Sequence, residues 1–325
     1  MNILLPFDYE LFFGKNVGTV GNCLIKPTDE LLNLFQKIGA SATFFVDTIF
    51  LKRLSEINEQ KRNFREIVQQ LTNIVKSGCR IEPHLHPHWG DAIYKEGTWL
   101  LPSYEHYTLH SLDITEVRNL LAWSLDFLTD IGRKVQKSYK CLAHRAGGFK
   151  ISPFEELSKV FLDNHILVDS SVGSRIFIKH KTYSISYPNL PTPPYRFSTD
   201  PCKPDPLGAF MEVPISVAST GSALRGSIKR KFGLNQSTDG ASQYGDGVGM
   251  SFEFSLWERL ISLRRFASLD VGTEGSLEDA LKGPNDTVVA VSHPKSLCKN
   301  SFTRIVAICN ENTKFLNIKD ILNFE

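Results

Sequence analysis

Three of the chain's nine histidines fall within five residues, in the string Glu82-Pro83-His84-Leu85-His86-Pro87-His88-Trp89. Imidazole is a common metal ligand, so such a cluster is a candidate metal site; the bland alternative is a polar loop whose rings face solvent. Geometry limits which histidines can share an ion. Two donors on one tetrahedral Zn²⁺ lie ~3.3 Å apart, because Zn–N bonds are ~2 Å. On a straight strand, positions four apart are separated by ~13 Å. His84 and His88 can therefore meet only if the chain turns between them, and Pro87 favours such a break. On spacing alone, His84 with His86 is an equal candidate.

A second candidate is Phe7-Asp8-Tyr9-Glu10. Residues i and i+2 of an extended segment point to one face, so Asp8 and Glu10 can project together. Two carboxylates that close repel unless a cation neutralises one, which suggests a division of labour: one binds metal, the other acts as a base. A pair of solvated acids in a turn would look the same. In His144-Arg145-Ala146-Gly147-Gly148-Phe149, the glycines allow close backbone approach to a ligand and Arg145 can hold a carboxylate with a forked pair of hydrogen bonds; a plain turn is the alternative. Val291-Ser292-His293-Pro294-Lys295 puts a histidine at the tip of an apolar strand, where a core or surface histidine is the default.

The elements that must position these residues alternate. Residues 2 to 7 read as a buried strand. Pro27, then Leu31, Leu32, Phe35 and Ile38, with Gly39 as a stop, read as a helix. Ser41 to Val46 reads as a strand, 64 to 75 as a helix ending near Gly78, and Cys79 to His84 as a strand. Asp113 with Glu116 caps a further helix. Strands at Ser138 to Ala143 and His165 to Asp169 flank a helix around Pro153 to Leu162, and later come helical material from Phe254 to Phe266 and a strand at Thr287 to Val291. Alternation of this kind predicts a largely parallel α/β sheet or barrel, whose active site lies at the carboxyl ends of the strands. Asp8, His84, Arg145, Asp169 and His293 all fall at predicted strand ends. From about 170 to 250 the pattern breaks into a proline-rich, then glycine-rich stretch, read as a long irregular insertion with one strand near Phe210 to Ile215.

At 325 residues, 42% hydrophobic, 22% charged and a net charge of +2, the chain is an ordinary globular protein that fits one catalytic domain, 1–325, with that insertion. The near-neutral charge gives no sign of nucleic-acid binding. Six scattered cysteines without a CxxC pair argue against a zinc ribbon or a disulfide framework and for reduced thiols in the cytoplasm. No secretory leader or transmembrane run is evident. The basic stretch Arg225 to Lys231 could meet phosphates or anionic headgroups at a membrane surface, or be a solvated loop. Trp89, Trp99, Tyr104 and Tyr107 could stack on a sugar or simply pack their loop. The oligomeric state is not legible.

In chain order these pieces resemble the polysaccharide deacetylase (NodB homology) family of carbohydrate esterases. The resemblance rests on an acidic motif after the first strand (Asp8-Tyr9-Glu10), an Ala-Thr-Phe-Phe-Val strand present unchanged at Ala42 to Val46, a His-x-x-x-His motif six residues after a glycine (Gly78, His84, His88), an arginine motif at Arg145 and a late strand ending in His293. Two departures stand out: Tyr9 separates the acids, and Gly147-Gly148 replaces the family's usual Pro-Tyr. The resemblance implies a distorted (β/α) barrel and hydrolysis of an N-acyl group, acetyl being expected, from a sugar. It implies a divalent ion, Zn²⁺ being expected, on Glu10, His84 and His88. Asp8 becomes the general base, fixed by Arg145, and His293 the general acid, with Asp169 as its expected partner. His86, Trp89, Gly147 and Gly148 fall to substrate contact. The expected substrate is an N-acylated sugar, a sugar nucleotide or a lipid-linked glycan of bacterial surface polysaccharide synthesis. Rivals are an amidohydrolase of this fold acting on a small non-sugar amide, and a carbohydrate-binding pseudoenzyme.

Overall fold

The computed structural model describes residues 1–179, 182–218, 242–249 and 264–322. The apolar opening run splits at Leu5 into β1 (Asn2–Leu4) and β2 (Pro6–Tyr9), which enter different sheets. Next come α1 (Lys26–Ile38), β3 (Thr43–Asp47), α2 (Thr48–Glu56), α3 (Lys61–Lys76) and β4 (Arg80–Leu85). The helix signals act as expected. Pro27 lies in the first turn of α1, and Gly39 caps its carboxyl end at φ 67°, a conformation that suits glycine. A short hairpin of β5 (Ile93–Lys95) and β6 (Thr98–Leu100) precedes α4 (Ile114–Arg133), which opens on the Asp113–Glu116 capping box.

β7 (Ala143–Ala146), α5 (Glu155–Asp163) and β8 (Val168–Asp169) continue the alternation. Ser138 to Leu142 were expected to begin β7 but are not in a strand. Side chains do the work of a ladder there: the Tyr139 hydroxyl bridges Ile81 N and O at 2.9 and 2.8 Å, and the Glu82 carboxylate accepts from Leu142 N and Ala143 N. Within 170–250, β9 (Phe177–Lys179) and β10 (Ser184–Ser186) form a hairpin, while β11 (Tyr195–Phe197) and β12 (Phe210–Glu212) join the main sheet. The chain then runs through α6 (Ser276–Ala280), β13 (Thr287–Val289), α7 (Lys299–Ile308), β14 (Lys314–Leu316) and α8 (Ile318–Ile321). The basic stretch Arg225 to Lys231, and the expected helix from Phe254 up to residue 263, lie outside the described residues.

The main sheet has the order β11-β12-β8-β7-β4-β3-β2, parallel except for β11, and β1 lies between β13 and β14 in a second parallel sheet. Backbone bonds join the two. Ser292 N donates to Pro6 O and Asp8 N to Ser292 O, while beyond β12 Ser216 N donates to Val289 O at 2.9 Å. The strands thus run round on themselves as a distorted barrel.

Leu4, Phe45, Ala143, Val168, Met211, Val213 and Val289, from successive strands, make a small apolar cluster closed by Ile318 and Ile321 of α8. A larger core fills the space around the strands and helices, with Phe7 stacked on Phe44 and packed against Phe35. Ile318 N donates to the Thr43 hydroxyl at the first residue of β3, so α8 covers the amino ends of the strands. The carboxyl ends open on the opposite side, where a barrel places its chemistry.

Candidate active site

Residues from the ends of β2, β4 and β7 converge there. The β3–β4 register pairs Asp47 with His84, and the β4–β7 register pairs His84 with Arg145. His84 and His86 lie two apart along one extended run and so face the same way. Glu10, one residue past β2, completes a triangle: its Oε2 is 3.1 Å from His84 Nε2 and 2.9 Å from His86 Nε2, and the two Nε2 atoms are 3.0 Å apart. All three side chains are buried, and among the described residues they form the single group whose donor atoms suit one metal ion.

His88 lies elsewhere. The chain turns at Pro87 into a short 3₁₀ segment, Pro87–Asp91. This stacks His88 on Tyr107 and Trp89, with ring centroids 5.1 and 5.7 Å away, and sets it edge-on to Phe13. The pairing of His84 with His88 is thereby corrected to His84 with His86, the alternative that spacing left open. The turn needed to bring His88 back occurs, but it points the ring into an aromatic cluster. Trp89 has no exposed surface and packs on Phe50 and Trp99, so it belongs to the core rather than to a sugar-binding wall.

The electrostatics of the triangle call for a cation. His84 Nδ1 donates to Arg145 O at 2.8 Å, which leaves Nε2 as the atom facing the Glu10 carboxylate. Positive charge at Nε2, whether a proton or a metal ion, is what lets the ring and the carboxylate lie 3.1 Å apart. Burial acts against protonation of His84, but the hydrogen bond to Glu10 and the charges of Asp8, Glu10 and Asp47 raise it to about 9. Burial holds His86 down to about 4 despite Glu10 beside it. Burial would raise Glu10, yet Lys295 and the two histidines hold it well below the usual carboxylate range. The three donor separations of 2.9–3.1 Å are close to the ~3.3 Å edge of a tetrahedral zinc site. A ring nitrogen bound to a backbone carbonyl is the usual outer support of a ligand histidine. The residues present therefore fit a divalent ion.

Asp8 flanks the triangle. Arg145 Nη1 donates to Asp8 Oδ1 at 2.8 Å, and Arg145 is itself fixed by Ser170 O (2.6 Å), Ser170 Oγ (2.9 Å) and the ring of Phe45. Asp8 Oδ2 is left toward His293 Nε2, 3.7 Å away, and that nitrogen is also 3.6 Å from Glu10 Oε1.

The partner of His293 is Asp270, not Asp169. Asp270 Oδ2 accepts from His293 Nδ1 at 2.6 Å and Oδ1 accepts from His293 N at 2.8 Å. Burial would lower His293, but the Asp270 carboxylate, with Glu10 and Asp8, raises it. Asp169 instead accepts from His144 Nδ1 at 3.3 Å and lies beside Glu212, whose carboxyl is pushed well above its usual range by burial and by Asp169. Asp169 ends β8, on the far side of β7 from the triangle, and its carboxylate is engaged with neighbouring strands.

The paired glycines have a packing reason. A Cβ on Gly147 would strike Leu85 O and crowd the His86 ring, and one on Gly148 (φ 62°) would strike the Tyr183 hydroxyl, which donates to Gly148 O at 3.0 Å. Three residues near the centre carried no role in the sequence reading. Asp47 ends β3, caps α2 through Phe50 N and is pushed up to about 8, chiefly by burial; its place at a strand end was a usable signal. Lys295 reaches Glu10 from two residues past His293. Asp270 lies 23 residues before its histidine and had no local signal.

No protein-family model matches this chain, and no curated protein does. Solved structures do. A putative polysaccharide deacetylase from Mycobacterium smegmatis is 13% identical, with a TM-score of 0.51 over 99% of this chain and 88% of that one. The Bc1960 peptidoglycan N-acetylglucosamine deacetylase is 13% identical, with a TM-score of 0.42 over 98% and 87%. A CE4 family pseudoenzyme from Bacillus anthracis is 13% identical, with a TM-score of 0.42 over 98% and 64%. At such identities the first likeness speaks for the fold, and it agrees with a barrel whose strand ends gather Asp8, Glu10, His84, His86 and Arg145: the chain has the NodB-type carbohydrate esterase fold of polysaccharide deacetylases.

Proposed function

We propose that this protein is a metal-dependent hydrolase that removes an acetyl group from the nitrogen of a sugar, within one catalytic domain. The observation that carries the reading is the buried triangle of Glu10, His84 and His86 with a carboxylate–arginine pair on one side and a histidine–carboxylate pair on the other. Glu10, His84 and His86 would hold a divalent ion, Zn²⁺ by the match to its donor spacing. When bound, such an ion lowers the pKa of water and polarises the amide carbonyl.

The chain's own groups manage the protons. Asp8, with Oδ1 held by Arg145, takes a proton on Oδ2 from the attacking water. The carbonyl carbon becomes tetrahedral, and backbone N–H groups at Gly147 and Gly148 are candidates to face its oxygen. As the C–N bond breaks, His293 Nε2 gives its proton to the leaving amine while Asp270 holds Nδ1 and stabilises the charged ring. The products are a free amino sugar and acetate.

The six cysteines form no disulfide, and no helix among the described residues is long and apolar enough to cross a membrane. We place the enzyme in the cytoplasm, acting on a nucleotide- or lipid-linked N-acetyl sugar that feeds surface polysaccharide. Elemental analysis of the purified protein, then acetate release from UDP-linked N-acetylhexosamines, tests this. One zinc per chain and turnover are expected; a metal-free protein inert on every N-acetyl sugar tried, yet active on a small ureide, would sink it.

A further inference from the structure

Glu10 is gripped from both ends. Its Oε2 faces the two histidines, while Oε1 accepts from the Lys295 ammonium at 2.8 Å. Lys295 is itself buried and moored: its Nζ donates to Leu11 O at 2.6 Å and lies 5.0 and 4.8 Å from the ring centroids of Phe12 and Phe13. Its own carbonyl accepts from Gly245 N at 2.9 Å, where a side chain at 245 would strike both Phe12 and Lys295. A lysine held this firmly has little freedom to release Glu10. A carboxylate can bind a cation through one oxygen or two, and here the second is occupied.

We propose that Lys295 is a positioning residue that confines Glu10 to one oxygen toward the metal and offsets its charge, so that the ion keeps a coordination position open and a larger share of its own charge. With Asp8 matched by Arg145, Glu10 by Lys295 and Asp270 by His293, a divalent ion brings positive charge that none of these three carboxylates is left to cancel, and burial favours the neutral form of the nearby Asp47. Such an ion polarises a carbonyl more strongly and is held less tightly. The inference rests on the metal reading of the preceding section.

The test is Co²⁺ binding by metal-stripped protein, followed by equilibrium dialysis and visible absorption. Wild type is expected to bind one Co²⁺ through Glu10, with the intense visible band of a low-coordinate ion. Groups around a metal site typically change affinity by about 10–100-fold. Lys295→Met should bind about tenfold tighter and show a weaker band, as Glu10 adds its second oxygen. Lys295→Gln keeps a donor for Oε1 but no charge, so it should bind tighter while retaining the wild-type band. Unchanged or weaker affinity in Lys295→Met overturns the assignment; if that variant does not fold, unchanged or weaker affinity in Lys295→Gln does so. Wild type that binds no Co²⁺, or binds it equally well after Glu10→Ala, instead removes the metal reading on which the inference stands.

Discussion

The two charged pairs that flank the Glu10–His84–His86 triangle are built in opposite ways. Asp8 and Arg145 stand on β2 and β7, 137 residues apart, with side chains at most 2% exposed. His293 and Asp270 stand on loops 23 residues apart, with side chains 21% and 14% exposed. Strand register fixes the first pair to the metal triangle, because Arg145 O also receives the His84 ring. The second pair sits at the rim, where a substrate can reach it and solvent screens it. In the proposed mechanism, strands and their ends thus carry the base and the ligands, and loops carry the acid that must meet a leaving group.

The contrast can be broken most severely at the base. Asp8→Asn should lower kcat by about 10²–10⁴-fold while Co²⁺ still binds, since Asp8 is outside the triangle; wild-type turnover would remove Asp8 from its role. Arg145→Met should next cost about 3–5 kcal/mol of stability, because it strands a buried carboxylate; chemical denaturation measures it. The same treatment of the rim should be mild.

Within the buried half, His86→Ala should weaken Co²⁺ binding by at least about 100-fold, more than an outer-shell change does. His88→Ala should leave affinity intact and lower stability by ~2–4 kcal/mol through lost packing. The reverse pattern in dialysis would restore His88 as ligand. Asp270→Asn should give the smallest effect, about a tenfold fall in kcat/KM with the alkaline limb of its pH profile moved down.

The sign follows from His293, whose pKa is raised in the folded chain above its ordinary 6.5. The stability gained by the protonated ring is fully present below pH 6.5 and is lost as pH rises through the raised folded value. The stability gap between wild type and Asp270→Asn should therefore narrow on going alkaline; a gap that widens would show that the charged pair does not exist.

Much of this was legible in the residues themselves, for identifiable reasons. Alternating strands and helices, the Asp113 cap and the Gly39 stop are local signals, and each appears as expected. Asp8, Glu10, His84, Arg145 and His293 could be picked out because parallel strands present their last residues on one side. The start of β7 was misjudged because Tyr139 and Glu82 satisfy backbone groups with side chains, which no periodicity reveals. Asp169 and His293 both read as strand ends in the sequence, and nothing along the chain says which neighbour a strand faces.

The amino-acid order by itself determined which residue types stand at the strand ends, and hence the class of chemistry. Period two along β4 also kept His84 with His86 as an equal choice. Only the tertiary structure set His86 rather than His88 against Glu10 and His84, supplied Asp270 to His293 and brought Lys295 to Glu10. The physical reason is that ligand choice turns on side-chain direction after a turn, and ion pairing on contacts 23 and 285 residues apart, which are set by packing rather than by spacing.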